Sequence, residues 1–409
     1  MGVIFWGLLN AVGLFALSRR RRRPRFDGPD LRFVFVVPAL NEGRVIGATV
    51  RHLLGFPGHA VIVVDDASED DTAAEILAID DPRVVLLRRQ LPDARLGKGE
   101  ALNAAFQWLR SSPLGDSPDR VIVCVADADG RLHASALHEA AVCFAAPQVG
   151  AAQVSVRIRN RNTNYWTRMQ HFEFVAFTAL YQGGRQHTGA VGLGGNGQFV
   201  RLSALQSLGT APWSSCLTED MDLGIRLLLA GWTNRYISTS WVSQQAVPDF
   251  PRLLRQRTRW FQGALQCLGH LRSVAGSDRL PLKTRVDLVG LLLAPLFLLV
   301  ASPLVFAGWL RLAIRNSGAV PVGGGPGRIL AVYAAFYTLA FLPALLLSFV
   351  FWLDEQESTI FSALIAGHLF VFYGYLWPFV GWRALGRQLA RRCEWTKTAR
   401  VAEAPVALT

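Results

Sequence analysis

The sequence predicts an α/β domain built on a doubly wound, largely parallel sheet, with apolar segments at both ends of the chain. Three observations carry this. Short β-branched runs, LRFVFVVP (31–38), AVIVVDD (60–66) and VIVCV (121–125), alternate with amphipathic stretches. Runs that are apolar at consecutive positions are buried on both faces, as strands in a parallel sheet are. Hydrophobic residues fill 51% of the 409 positions, yet the long apolar runs sit before residue 19 and after residue 285.

In chain order, Met1 to Ser18 (MGVIFWGLLNAVGLFALS) is apolar and about long enough to cross a bilayer. Arg19 to Arg23 follow it, whereas a secretory signal carries its charge first. The positive-inside tendency puts residues from Arg19 onward in the cytoplasm. Residues 19–30 are a basic linker. The first strand ends in ALNEG (39–43), a turn opening a helix over 45–54. The second strand ends in two acids, and SEDDT (68–72) supplies caps and early acids for the next helix. A short strand at 84–87 and a helix led by GKGEALN (97–103) precede the VIVCV strand. That strand runs directly into Asp127 and Asp129 and stops at Gly130. AAQVSVRIR (151–159) alternates as a further strand, and 164–181 reads as one aromatic helix. GLGGNGQFV (192–200) is a glycine-rich turn into a short strand, and LTEDMD (217–222) opens a helix.

Beyond it, 250–280 reads as an interfacial helix in which Gln256, Arg259, Trp260 and Gly263 share a face. Three membrane segments then follow within 286–382, near 286–310, 329–353 and 361–382, interrupted by Pro295, Pro303, Pro343 and Pro378. Three full crossings would leave the basic tail, 383–409, outside, against the positive-inside tendency. One late segment is therefore expected to be re-entrant, interfacial or split, with the proline-broken 286–310 the first suspect. The expected location is the plasma membrane, multi-pass, with the domain over 31–249 cytoplasmic.

Composition narrows the chemistry. The formal charge of +12 is carried almost wholly by arginine. A basic excess suits anionic lipid or phosphorylated substrate. Nucleic acid is disfavoured because no stripe of interleaved basic and aromatic residues appears. The five cysteines (124, 143, 216, 267, 393) show no framework spacing and read as reduced. No G-x-G-x-x-G follows the first strand and no P-loop occurs, which argues against dinucleotide oxidoreductases and P-loop kinases. In open α/β sheets ligands bind beyond the carboxyl ends of the strands. Acids at 66, 127 and 129 fall there, where a hard cation is held by one or two carboxylates plus substrate phosphates.

These motifs together resemble the membrane-embedded family 2 glycosyltransferases, the group of cellulose, hyaluronan and poly-N-acetylglucosamine synthases and ceramide glucosyltransferases. The resemblance runs over about 31–265, in family order. It implies a GT-A-type domain with interfacial helices and N- and C-terminal transmembrane helices. VVPALNEG (Pro38, Glu42) resembles the first nucleotide-sugar turn, and VVDDASEDDT the second, whose Asp66 would meet the base. Lys98 stands where the family places a nucleotide-contacting lysine, and DADG matches the D-x-D metal motif. The resemblance implies Mg²⁺ or Mn²⁺ held through Asp129, with Asp127 near ribose and diphosphate. TED implies Asp220 as general base, QRTRW matches Q-x-x-R-W (Gln256, Arg259, Trp260), and Gly195, Asn196, Gly197 and Glu219 fall at the acceptor side.

The implied activity is inverting transfer from a nucleotide-sugar, UDP-glucose or UDP-N-acetylglucosamine, extending a polysaccharide or glycosylating a lipid at the cytoplasmic membrane face. The alternative is a nonprocessive glycolipid synthase that adds one sugar to a diacylglycerol-like lipid. The rival from another class, a non-catalytic membrane scaffold, is disfavoured by the intact acids and Arg259.

Overall fold

The computed structural model describes residues 31–58, 60–316, 326–355 and 358–392. The expected N-terminal membrane segment, the basic linker and most of the tail lie outside these residues.

Eight strands form one sheet: β1 (Arg32–Ala39), β2 (Ala60–Asp65), β3 (Val84–Arg88), β4 (Val121–Val125), β5 (Arg131–Leu132), β6 (Val149–Ile158), β7 (Gln198–Arg201) and β8 (Thr233–Gln244). Their order is β3-β2-β1-β4-β7-β6-β8-β5. From β3 to β4 every pairing is parallel. Consecutive residues of β1 enter opposite cores. Phe33, Phe35 and Val37 pack below with the Ile46–Leu54 and Ala136–Phe144 helices, and Val34 and Val36 pack above with Lys98–Ser111. That two-sided burial is why these strands are apolar at every position.

Past β4 the sheet is mixed. β7 runs antiparallel to both β4 and β6, while β6 and β8 are parallel. The reversal at β7 positions the site. Gln198, the first residue of β7, pairs with Val125, the last of β4. The glycine-rich turn that feeds β7 is thereby set beside the acids that follow β4. Gly197 N–H donates to the Val125 carbonyl at 2.9 Å, with a φ of 71° that favours glycine.

The segment expected as one helix over 164–181 is interrupted. Tyr165–Phe172, capped by Asn164, passes into a π-helix, Glu173–Thr178, before Ala179–Thr188. Such π turns recur at functional sites. Next, the Phe250–Gln266 helix is followed by two short turns to Ala275.

The first late apolar segment, expected to be the irregular one, is a continuous helix, Leu282–Asn316, running through Pro295 and Pro303. The third segment divides instead, at Tyr375, into Ile360–Gly374 and Leu376–Leu389. Neighbouring helices can re-satisfy carbonyls freed by proline, so proline alone does not break a packed apolar helix. Leu376, Val380 and Ala384 of the last helix are buried in one cluster with Phe261 and Leu265 of Phe250–Gln266 and Leu299 of Leu282–Asn316. The tail expected from 383 is thus helical to Leu389 and packed. Among the described residues two stretches are long and apolar enough to cross a membrane, Leu282–Gly308 and Ile360–Leu389.

Candidate active site

A cavity of about 400 Å³ opens at the carboxyl ends of β1, β2 and β4. Of the fourteen residues singled out by sequence, it gathers twelve: Pro38, Glu42, Asp66, Lys98, Asp127, Gly195, Asn196, Glu219, Asp220, Gln256, Arg259 and Trp260. The two that do not line it are Gly197, whose part is the backbone turn, and Asp129.

Asp129 was expected to be the principal metal ligand. In the structure it is fully buried, and its Oδ2 accepts from the Gln245 backbone N–H at 2.8 Å. Asp127, two residues earlier, faces the cavity. In an extended chain residues i and i+2 point to the same side, but Asp127 to Gly130 form a turn closed by the Gly130 N–H to the Asp127 carbonyl, where that alternation no longer holds.

Lys98 is the first residue of its helix, set by Gly97 with φ 127°. Its Nζ donates to Asp127 Oδ1 and to the Gly195 carbonyl, both at 2.6 Å, and lies 4.0 Å from Glu219 Oε1. Burial opposes the ammonium charge, but Asp127 and Glu219 outweigh it and raise the Lys98 pKa. Glu219 and Asp220 open the Glu219–Leu229 helix. Burial, and then the neighbouring Asp220 charge, push the Glu219 carboxyl up to about 7, against the pull of Lys98 and Arg259. Asp220 is also raised by burial, opposed by Lys98 and by the Met221 N–H, which donates to Oδ1 at 2.8 Å. The cavity floor therefore holds a carboxyl pair that retains a proton near neutrality.

Arg259 also lines the cavity, and its Nε is buried with no hydrogen-bond partner within the described residues. A guanidinium so placed is suited to an anion. Asp66 accepts from Arg89 Nη1 at 2.5 Å and from the Arg95 N–H at 3.0 Å, and burial raises its pKa all the same.

The Phe250–Gln266 helix is held in register from two sides. Gly263 packs on the turn before Glu219, where a Cβ would come within 2.7 Å of the Thr218 backbone N. Arg257, fully buried, pairs with Glu173 Oε2 at 2.6 Å and with Tyr373 Oη at 3.1 Å, and its guanidinium lies 4.0 Å from the Trp260 ring centre. Sequence reasoning passed over Arg257, which fills a variable place of the motif. Phe174, Val156 and Gln244 also line the cavity unforeseen. Phe174 belongs to the π turn, which periodicity does not reveal.

Among the described residues no cluster of three or more His, Cys, Asp or Glu is arranged to hold a metal ion. The donor set still fits a hard divalent cation of the kind bound by one or two carboxylates and substrate phosphates, because Asp127 presents its carboxylate to the cavity.

A family model described as "Glycosyltransferase like family 2" matches residues 29–263. A beta-monoglucosyldiacylglycerol synthase from Synechocystis sp. is 34% identical over 329 residues, covering 75% of this chain and 66% of that protein. Another, from Trichormus variabilis, is 33% identical over 277 residues, covering 64% of this chain and 56% of that protein. The chain therefore spans between about half and two thirds of the length of these curated relatives. Among solved structures, a mannosyltransferase from Pyrobaculum calidifontis in complex with GDP-Man and Mn²⁺ superposes with a TM-score of 0.56. It is 18% identical and covers 91% of this chain and 97% of that one, a likeness of fold.

Proposed function

The chain belongs to glycosyltransferase family 2, and from that premise we propose that it is a nonprocessive glycolipid synthase. It moves one sugar, glucose on the strength of its relatives, from a nucleotide-sugar to the hydroxyl of a diacylglycerol-like lipid. Support for the lipid acceptor comes from the monoglucosyldiacylglycerol synthases, which favour the alternative drawn from sequence over polysaccharide extension. The observation that carries the chemistry is the meeting of Lys98, Asp127, Glu219, Asp220 and Arg259 around one cavity.

In this reading the donor's nucleoside lies over Pro38, Glu42 and Asp66, and its diphosphate lies toward Lys98 and Arg259. Asp220 accepts the proton of the acceptor hydroxyl as that oxygen attacks the anomeric carbon. The bond from that carbon to the diphosphate oxygen breaks, and the electron pair leaves with the nucleoside diphosphate. One displacement inverts the carbon, so no covalent enzyme intermediate is needed. Arg259 offers fixed positive charge where negative charge grows. Glu219 shares its proton with Asp220, which sets the pH at which the base is available. Asp127, with the donor's own phosphates, would hold a divalent cation, which when bound neutralises the leaving diphosphate. The exposed apolar side chains of Leu282–Asn316, among them Phe297, Val300, Leu304 and Phe306, support attachment to a lipid bilayer.

The test is product analysis. Membranes containing the full chain, given labelled UDP-glucose and diacylglycerol, should yield a single labelled lipid. A ladder of longer products, or label in polymer alone, would overturn the reading.

A further inference from the structure

Next to the active cavity, and sharing Arg259 with it, is a second, smaller cavity of about 50 Å³. Arg255 and Arg259 reach it from the Phe250–Gln266 helix, and Arg383 and Arg387 from Leu376–Leu389. No acidic side chain lines it. Arg387 Nε donates to Gln262 Oε1 at 3.2 Å, which fixes the seam between the two helices. Arg255 and Arg383 are exposed, and neither makes a hydrogen bond or ion pair among the described residues. Four arginine side chains lining one notch with no acid among them favour an anion, and the arginine fork matches phosphate oxygens.

A second observation says where that phosphate comes from. On the helix carrying Arg383 and Arg387, the exposed side chains Phe379 (72%), Trp382 (49%) and Leu389 (76%) lie three or seven residues apart. With Tyr375, 54% exposed and just before the helix, they make an apolar stripe bordered by the arginines. Exposed Trp and Tyr beside arginine are the side chains that settle at the bilayer surface.

We propose that the Arg255–Arg259–Arg383–Arg387 notch is a binding site for the phosphodiester headgroup of an anionic lipid, whose chains run along the Phe379–Trp382 stripe. The notch adjoins the donor cavity through Arg259 but is not the acceptor's place, and the proposal does not depend on which lipid is glycosylated. Because Arg259 borders both cavities, an occupied notch also holds the guanidinium that faces the leaving diphosphate.

The full chain in neutral detergent is titrated with short-chain phosphatidylglycerol, short-chain phosphatidylcholine or inorganic phosphate, and the apparent Kd is read from thermal stabilisation. Phosphatidylglycerol should bind, with phosphatidylcholine and inorganic phosphate much weaker. The double variant Arg255→Gln with Arg383→Gln should weaken phosphatidylglycerol about thirty-fold. Arg255→Lys with Arg383→Lys keeps the charge and should retain most of the affinity, which separates lost charge from lost fold. Equal binding of the two lipids, or a Gln variant that binds as tightly as the parent, would overturn the site. Inorganic phosphate matching phosphatidylglycerol would overturn the lipid as its source.

Discussion

Replacing Lys98 with Met tests the electrostatics of the site most directly. Met nearly fills the space while removing the charge and the two hydrogen bonds that Nζ donates. The Lys98 ammonium lies 4.0 Å from Glu219, with 13% and 6% of the two side chains exposed. Two unit charges at that separation interact by about 4 kcal/mol at an effective dielectric near 20. Asp127, at 2.6 Å from the same Nζ, offsets part of that field. The carboxyl pair should therefore rise by about one to two pKa units, each worth about 1.4 kcal/mol. The sign follows from the base: transfer needs the carboxylate, Lys98 favours the carboxylate, and its loss favours the acid. With Glu219 at about 7, the parent's rate should climb as pH rises through that value. In Lys98→Met the same limb should move to about pH 8–9, so the rate at neutrality falls roughly five- to fiftyfold and recovers in alkali. Initial rates of transfer between pH 6 and 10, at saturating donor, read this directly. A limb that stays in place while activity falls evenly at every pH would refute the reasoning and leave Lys98 as a donor contact alone.

Asp220→Asn should abolish transfer while nucleotide binding, followed by calorimetry, persists; equal loss of both would remove its role as base. Gly263→Ala presses a methyl into Thr218 and should cost about 1–3 kcal/mol in denaturant unfolding, with transfer falling further than stability. Arg257→Met leaves the buried Glu173 carboxylate without its partner at 2.6 Å and should destabilise by about 3–5 kcal/mol, seen as a lowered thermal midpoint.

Much of the parallel half of the sheet was legible, because β1, β2 and β4 are short β-branched runs that side chains bury on both faces. β8 was not. Its sequence, TNRYISTSWVSQ, is more than half Ser, Thr, Asn and Gln, and its buried positions follow no strict alternation. The Ala136–Phe144 helix was missed as well: ALHEAAVCF is small and weakly patterned, and Ser135 at its N-cap makes no side-chain cap hydrogen bond. The motifs predicted the lining of the cavity because each sits where a strand stops or a helix starts, and those ends converge. What spacing could not say is which member of D-x-D faces inward, or that Arg257, between two residues directed at the cavity, is committed to Glu173 and Tyr373.

The helix break at Tyr375 has a bearing on how the protein can be divided. The segment after it lies against the very helix that supplies Gln256, Arg259 and Trp260. Among the described residues the cavity's Phe250–Gln266 wall and the last apolar helix are consequently packed as one unit. A chain ended before Leu376 would retain every residue lining the cavity and lose the packing on which Gln256, Arg259 and Trp260 stand.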